Sequence, residues 1–185
     1  MTKRLKGGEY EQDTNTKLGS GEFGEVFKGK IASSGQPCAI KTVLKNKIKD
    51  KKVSDQFLNE IESLEKNVKF DNPFILKILD CFETSNNIYV ITEFCEGNSL
   101  ETKIFNKQKF DEQQSLAVGF QIGLALLSLQ ENKIVHRDIT KENVYYCKDL
   151  IKLAGFGCAR VAPQGFTTSI GSPKNRAPEF YNNGV

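Results

Sequence analysis

The sequence predicts an α+β fold in two lobes, with strands dominating the first half and a long helix leading the second. Three observations predict it. Apolar runs separated by turn residues recur between Thr16 and Phe94, a helical pattern covers Glu112 to Asn132, and Glu96-Gly97-Asn98-Ser99 breaks the chain between them. The 185 residues are 38% hydrophobic and 26% charged, which suits a globular chain and argues against disorder or a coiled coil. A net charge of +3 is too mild to point to a nucleic-acid partner. No apolar run approaches the ~20 residues of a membrane span, and Met1 to Gln12 lacks the apolar stretch of a secretory signal. The expectation is a cytoplasmic chain with no nucleic-acid or membrane partner. Five cysteines, Cys38, Cys81, Cys95, Cys147 and Cys158, form no CxxC pair, and the chain has a single histidine. Reduced thiols therefore fit better than a zinc site or a disulfide framework.

The elements follow in order. Residues 1–10 read as a polar tail. Glu25 to Lys28 and Cys38 to Val43 read as strands joined through Ser33-Ser34-Gly35. Lys45 to Lys52, rich in lysine, reads as a solvated loop, with a docking patch as the sharper alternative. Phe57, Ile61, Leu64 and Val68 recur at helical spacing, and Asn72-Pro73 stops that helix. Ile75 to Phe82 and Ile88 to Phe94 read as a second hairpin. The long helix carries apolar residues at Leu116, Phe120, Leu124, Leu127 and Leu129. Short strand-like pieces follow at Ile134-Val135, Val144 to Tyr146 and Ile151 to Leu153. Two lobes on a hinge imply a cleft, the usual place for a ligand.

Gly19-Ser20-Gly21-Glu22-Phe23-Gly24-Glu25-Val26 fits GxGxxGxV, a turn whose backbone N–H groups can approach phosphates. Alone the pattern is weak. A dinucleotide-binding fold needs a helix after the third glycine, and here Val26-Phe27 continues as a strand. Alternation places Ala39 and Lys41 on one face of the next strand, so the Lys41 ammonium can reach phosphate oxygens; an exposed strand lysine is the plain alternative. Glu60, on the amphipathic helix, can pair with Lys41, or be one exposed glutamate among several. His136-Arg137-Asp138 followed by Asn143 is the strongest piece. An aspartate there can accept a hydroxyl proton, and an asparagine five residues on can hold a divalent cation. His136 fits a buried structural histidine better than a general base.

These pieces, with Glu93-Phe94-Cys95, Phe156-Gly157 and Ala177-Pro178-Glu179, run in the order of a protein kinase, and the chain resembles a eukaryotic serine/threonine protein kinase domain from Leu18 to Glu179. The resemblance implies a protein-kinase-like two-lobed α+β fold: a complete N-lobe sheet with its helix over residues 11–94, then a hinge and partial helical C-lobe over 95–185. It implies ATP and Mg²⁺ as cofactors and a protein substrate or partner. By the resemblance Leu18, Gly19, Ser20, Gly21, Glu22, Phe23, Gly24, Val26 and Ala39 cover the nucleotide. Lys41 grips the α- and β-phosphates and pairs with Glu60. The backbone of Glu93 and Cys95 takes the adenine, Thr92 guards the pocket behind it, and Asp138 and Asn143 serve catalysis, Asn143 as metal ligand. Leu64, Ile78, His136 and Phe156 form an apolar column. Ser172 lies beside the catalytic aspartate, and Thr167, Thr168 and Ser169 are candidate phosphorylation sites read by Arg137.

Four departures qualify the resemblance. The metal-binding aspartate before Phe156-Gly157 is Gly155. Losing a preorganised electrostatic group costs about 3 kcal/mol, roughly a hundredfold in rate. Thr140 stands where a lysine is usual, with Lys141 one place later, able to compensate or to aim away. Tyr145 replaces an aliphatic residue beneath the adenine, to stack or to crowd. The chain stops six residues after Glu179, short of a full C-lobe, which leaves the long helix without part of its cover. The reading is a kinase-family, ATP-binding chain with impaired catalysis. The alternatives are an active serine/threonine kinase or fragment of one, and a non-catalytic domain that needs a partner to fold.

Overall fold

The computed structural model describes residues 1–21, 24–47, 72–156 and 160–161. The helix expected around Phe57 to Val68, with Glu60 and Leu64, lies outside the described residues, as do Glu22, Phe23, Gly157, Thr167 to Ser169, Ser172 and Ala177-Pro178-Glu179. The chain divides into two compact units, Met1–Lys69 with Lys77–Phe94, and Phe70–Leu76 with Cys95–Val185.

The described residues of the first unit include one six-stranded antiparallel sheet in the order β1-β2-β3-β4-β6-β5. Its strands are β1 (Thr2–Leu5), β2 (Tyr10–Gly21), β3 (Gly24–Ile31), β4 (Pro37–Leu44), β5 (Ile78–Glu83) and β6 (Asn87–Glu93). Alternation decides which residues are buried. Cys38 and Ile40 point from one face of β4 into a cluster with Leu5, Tyr10, Tyr89 and Ile91, while Ala39 and Lys41 take the opposite face. Burial pushes the Cys38 thiol up to about 11, so it stays protonated.

The polar-tail reading of residues 1–10 is corrected here. Thr2–Leu5 is an edge strand whose Leu5 pairs with Tyr10, and both side chains are buried. The remaining residues tie this strand across the sheet. Lys3 Nζ donates to the Tyr89 hydroxyl at 3.0 Å, and Lys6 Nζ meets Asp80 Oδ2 on β5 at 2.7 Å. Tyr10, Phe82 and Tyr89 stack in series, with centroids 6.2 and 5.1 Å apart. Two apolar residues in a charged stretch give no periodic signal, which hid the strand.

The second unit holds α1 (Leu100–Phe105) and α2 (Glu112–Glu131), with the short strands β7 (Ile134–Val135), β8 (Val144–Cys147), β9 (Leu150–Leu153) and β10 (Arg160–Val161). Ser99 caps α1 by accepting from the Thr102 N–H. Asp111 and Gln114 form a capping box at the start of α2. Residues 72–76 pack here rather than with the strands that follow them: Ile75 bridges Leu153, and the Leu76 N–H donates to the Leu153 carbonyl. Leu129, Ala125, Ile134, Val144, Ile151 and Leu153 are buried. Part of the apolar face of the long helix is uncovered, as the sequence led us to expect. Leu129 is buried, but Leu116 and Phe120 are 65% and 69% exposed. Two hydrogen bonds tie α2 to its neighbours: Gln121 Oε1 accepts from the Ile151 N–H, and Asn72 Nδ2 donates to the Leu124 carbonyl. No described helix is long and apolar enough to cross a membrane.

Candidate functional site

In the first unit the glycine-rich segment closes the β2–β3 hairpin. Gly19 pairs with Val26, Ser20 with Glu25, and Gly21 with Gly24. Gly24 is required sterically. A Cβ there would overlap the Thr42 carbonyl oxygen and stand 2.8 Å from its carbon, whereas a Cβ on Gly19 would meet nothing within 4 Å. Leu18 is exposed, and Lys17 pairs with Glu25 at 2.6 Å on the outside of the turn. One strand over, Val26 lies opposite Lys41, Lys41 opposite Val90, and Ala39 opposite Thr92. The half-buried Ala39 and Lys41 thus share the β4 face turned away from the Ile40 cluster. At the end of β6 the Thr92 hydroxyl donates to the Glu93 carbonyl at 3.2 Å. The Glu93 N–H donates to the Lys77 carbonyl at 3.0 Å, while the Glu93 carboxylate accepts from the Lys77 N–H at 2.8 Å.

In the second unit His136 is 3% exposed and sits edge-on to Phe156, with ring centroids 5.0 Å apart. The Asp138 N–H donates to His136 Nδ1 at 3.3 Å, which leaves Nε2 as the protonated nitrogen facing the Ala154 carbonyl at 2.8 Å. Both nitrogens are engaged in holding backbone, so the ring is a structural clamp. Burial holds its pKa below 6.5, against the opposing pull of the Ala154 carbonyl and of Asp138. The neutral native ring binds fewer protons than the unfolded one, so stability rises with pH through this window. Stability should be level above about pH 7 and fall as the pH drops through 6.5 toward the lowered native value. His136→Phe should flatten that slope in chemical denaturation between roughly pH 7 and pH 5; an unchanged slope would place the titrating group elsewhere.

The loop after His136 converges on Asn143. Its N–H donates to the Thr140 carbonyl at 3.0 Å and its carbonyl accepts from the Ala154 N–H at 2.7 Å. Its side-chain Nδ2 donates at 2.9 Å to both the Asp138 carbonyl and Asp138 Oδ2. Asp138 and Asn143, paired in the sequence reading, are thus in direct contact. Gly155 lies beneath them at φ +87°, and a Cβ on it would stand 2.5 Å from both Asn143 Nδ2 and Oδ1. Lys141, one place after the position where a lysine is usual, is turned toward carboxylates. It pairs with Glu101 on α1 at 2.7 Å and with Glu142 at 2.9 Å, and these carboxylates raise its pKa. Glu142 is held down at about 2, chiefly by Lys141. Tyr145 sits on β8 opposite Lys152 with its ring half-buried, and desolvation raises its hydroxyl pKa. Glu101 and the Ala154 carbonyl were missed as members of this network; nothing in a one-dimensional pattern marks a carboxylate forty residues from its lysine.

A protein kinase domain model matches residues 12–184. The chain belongs to the protein kinase family. The α+β, two-lobed, kinase-like fold expected from the sequence follows from that membership. The domain is 32% identical over 184 residues to a probable serine/threonine-protein kinase, fhkC, of Dictyostelium discoideum, covering 96% of this chain and 30% of that one. It is 34% identical over 173 residues to the serine/threonine-protein kinase ATG1a of Arabidopsis thaliana, covering 90% and 27%. It is 33% identical over 168 residues to the human NUAK family SNF1-like kinase 2, covering 89% and 26%. The domain therefore spans less than a third of each of these relatives. Protein kinases in general use ATP, Mg²⁺ and a protein substrate.

Proposed function

We propose that this kinase domain binds ATP and transfers its γ-phosphate poorly or not at all, serving a protein partner as a nucleotide-bound scaffold or allosteric element. The observation that carries this is Gly155. Phosphoryl transfer depends on cations that bridge the β- and γ-phosphates, held by the carboxylate that precedes Phe156-Gly157 in the family pattern. Here that position offers no side-chain oxygen, and the neighbouring Asn143 amide is turned onto Asp138. The donor set therefore does not fit a divalent cation.

The residues for nucleotide binding are favourable by contrast. The glycine-rich turn, Val26 and Ala39 would cover the base and phosphates. Lys41, on the same strand face as Ala39, would meet the α- and β-phosphates, with Glu60 to hold it. The backbone of Glu93 and Cys95 would read the adenine edge, and Tyr145 would stack on it. Asp138 keeps the position of a base for a substrate hydroxyl, but a base alone supplies only part of the rate. ATP at about a hundred times its Kd should raise the melting temperature by roughly 5–10 °C. A melting curve indifferent to ATP would reject nucleotide binding and favour a purely structural role.

A further inference from the structure

We propose that the nucleotide site of this chain works without a divalent cation, because Asn143 has folded into the space over Gly155 and closed onto Asp138. The inference rests on the nucleotide-binding reading above and goes past it. It concerns why the cation site is gone and why one substitution cannot restore it.

A Cβ built on Gly155 lies 2.5 Å from Asn143 Nδ2 and Oδ1, closer than Cβ atoms in real structures approach other atoms. The Asn143 amide thus occupies the room that any side chain at 155 would need. A short side chain that could swing aside would make this trivial, but Asn143 is fixed from four directions. Its N–H and carbonyl are bonded to Thr140 and Ala154, and its Nδ2 bonds both the carbonyl and the carboxylate of Asp138. An amide nitrogen donates and cannot coordinate a cation. The amide oxygen that remains is neutral and packed over the glycine. One Asp138 carboxylate oxygen is engaged by the same amide. The backbone at 155 adds a second barrier, since φ +87° disfavours any L side chain. Positions 143 and 155 are therefore interlocked, and the charge of the triphosphate is left to Lys41 and the glycine-rich turn.

Two measurements test this. ATP titrated into the whole chain by calorimetry, in excess EDTA and in excess MgCl₂, should give Kd values within about threefold of each other. Binding tightened by more than that with Mg²⁺ overturns the inference and leaves the nucleotide reading standing. Absence of binding in both buffers rejects the nucleotide reading, and with it a cation-independent site. The interlock itself is read without nucleotide, from the melting temperatures of Gly155→Ala, Asn143→Ala and the double variant. The φ cost of the alanine is common to both backgrounds and cancels in the cycle. Gly155→Ala should lower the melting temperature by several degrees more when Asn143 is present than when it is shortened. Additive shifts would show that Asn143 does not hold that space and overturn the interlock. If a variant does not fold, the titrations on the unaltered chain still decide.

Discussion

Lys41→Met should weaken ATP binding by about tenfold to a hundredfold, the size of one or two charge-assisted hydrogen bonds. Calorimetry, or loss of the ATP-induced rise in melting temperature, reads the effect. The variant separates binding from folding because of where Lys41 stands. Ile40, the next residue, is fully buried in the cluster with Leu5, Tyr10, Tyr89 and Ile91, while Lys41 is on the other face of β4 and half-buried. Methionine keeps the volume and the unbranched stem, so the melting temperature without ATP should move only by a few degrees. Undiminished ATP affinity in a folded Lys41→Met protein would mean that the phosphates are gripped elsewhere.

Gly24→Ala should have the largest effect on folding of any change in the glycine-rich segment. Its Cβ would collide with backbone, the Thr42 carbonyl, so β3 and β4 have to separate where Gly24 pairs with Val43. Backbone does not turn aside as a side-chain tip does. A loss of about 3 kcal/mol or more is expected, lowering the melting temperature by roughly 6–12 °C. Gly19→Ala is the control, since nothing lies within 4 Å of its Cβ, and its stability should stay within about 0.5 kcal/mol. The two glycines look equivalent in the motif, and the structure assigns them different duties. Equal stability of the two variants would show that the β3–β4 approach is looser than the register implies.

What the sequence made legible was periodic or local. The two hairpins showed in alternation and turn residues, and the long helix showed in the spacing of its apolar residues. The pairing of Asp138 with Asn143 was legible because five residues of loop bring the chain back on itself. The rest depended on contacts between distant segments. Leu5 and Tyr10 are two apolar residues in a charged stretch, and their burial comes from Tyr89 and Ile91, some eighty residues away. The direction of Lys141 was open until Glu101 was placed beside it. Leu116 and Phe120 are exposed, in line with the expectation that the long helix lacks part of its cover. Gly155 was legible as a missing carboxylate, but its backbone angle and the amide above it were not, because both are properties of packing.

The most direct measurement is phosphate transfer from γ-labelled ATP to a generic protein substrate by the purified chain, with Mg²⁺ and separately with Mn²⁺. Turnover should lie at least about a hundredfold below the ~1–100 s⁻¹ of protein kinases, while ATP still raises the melting temperature. Turnover inside that range would contradict the proposal that Gly155 disables transfer.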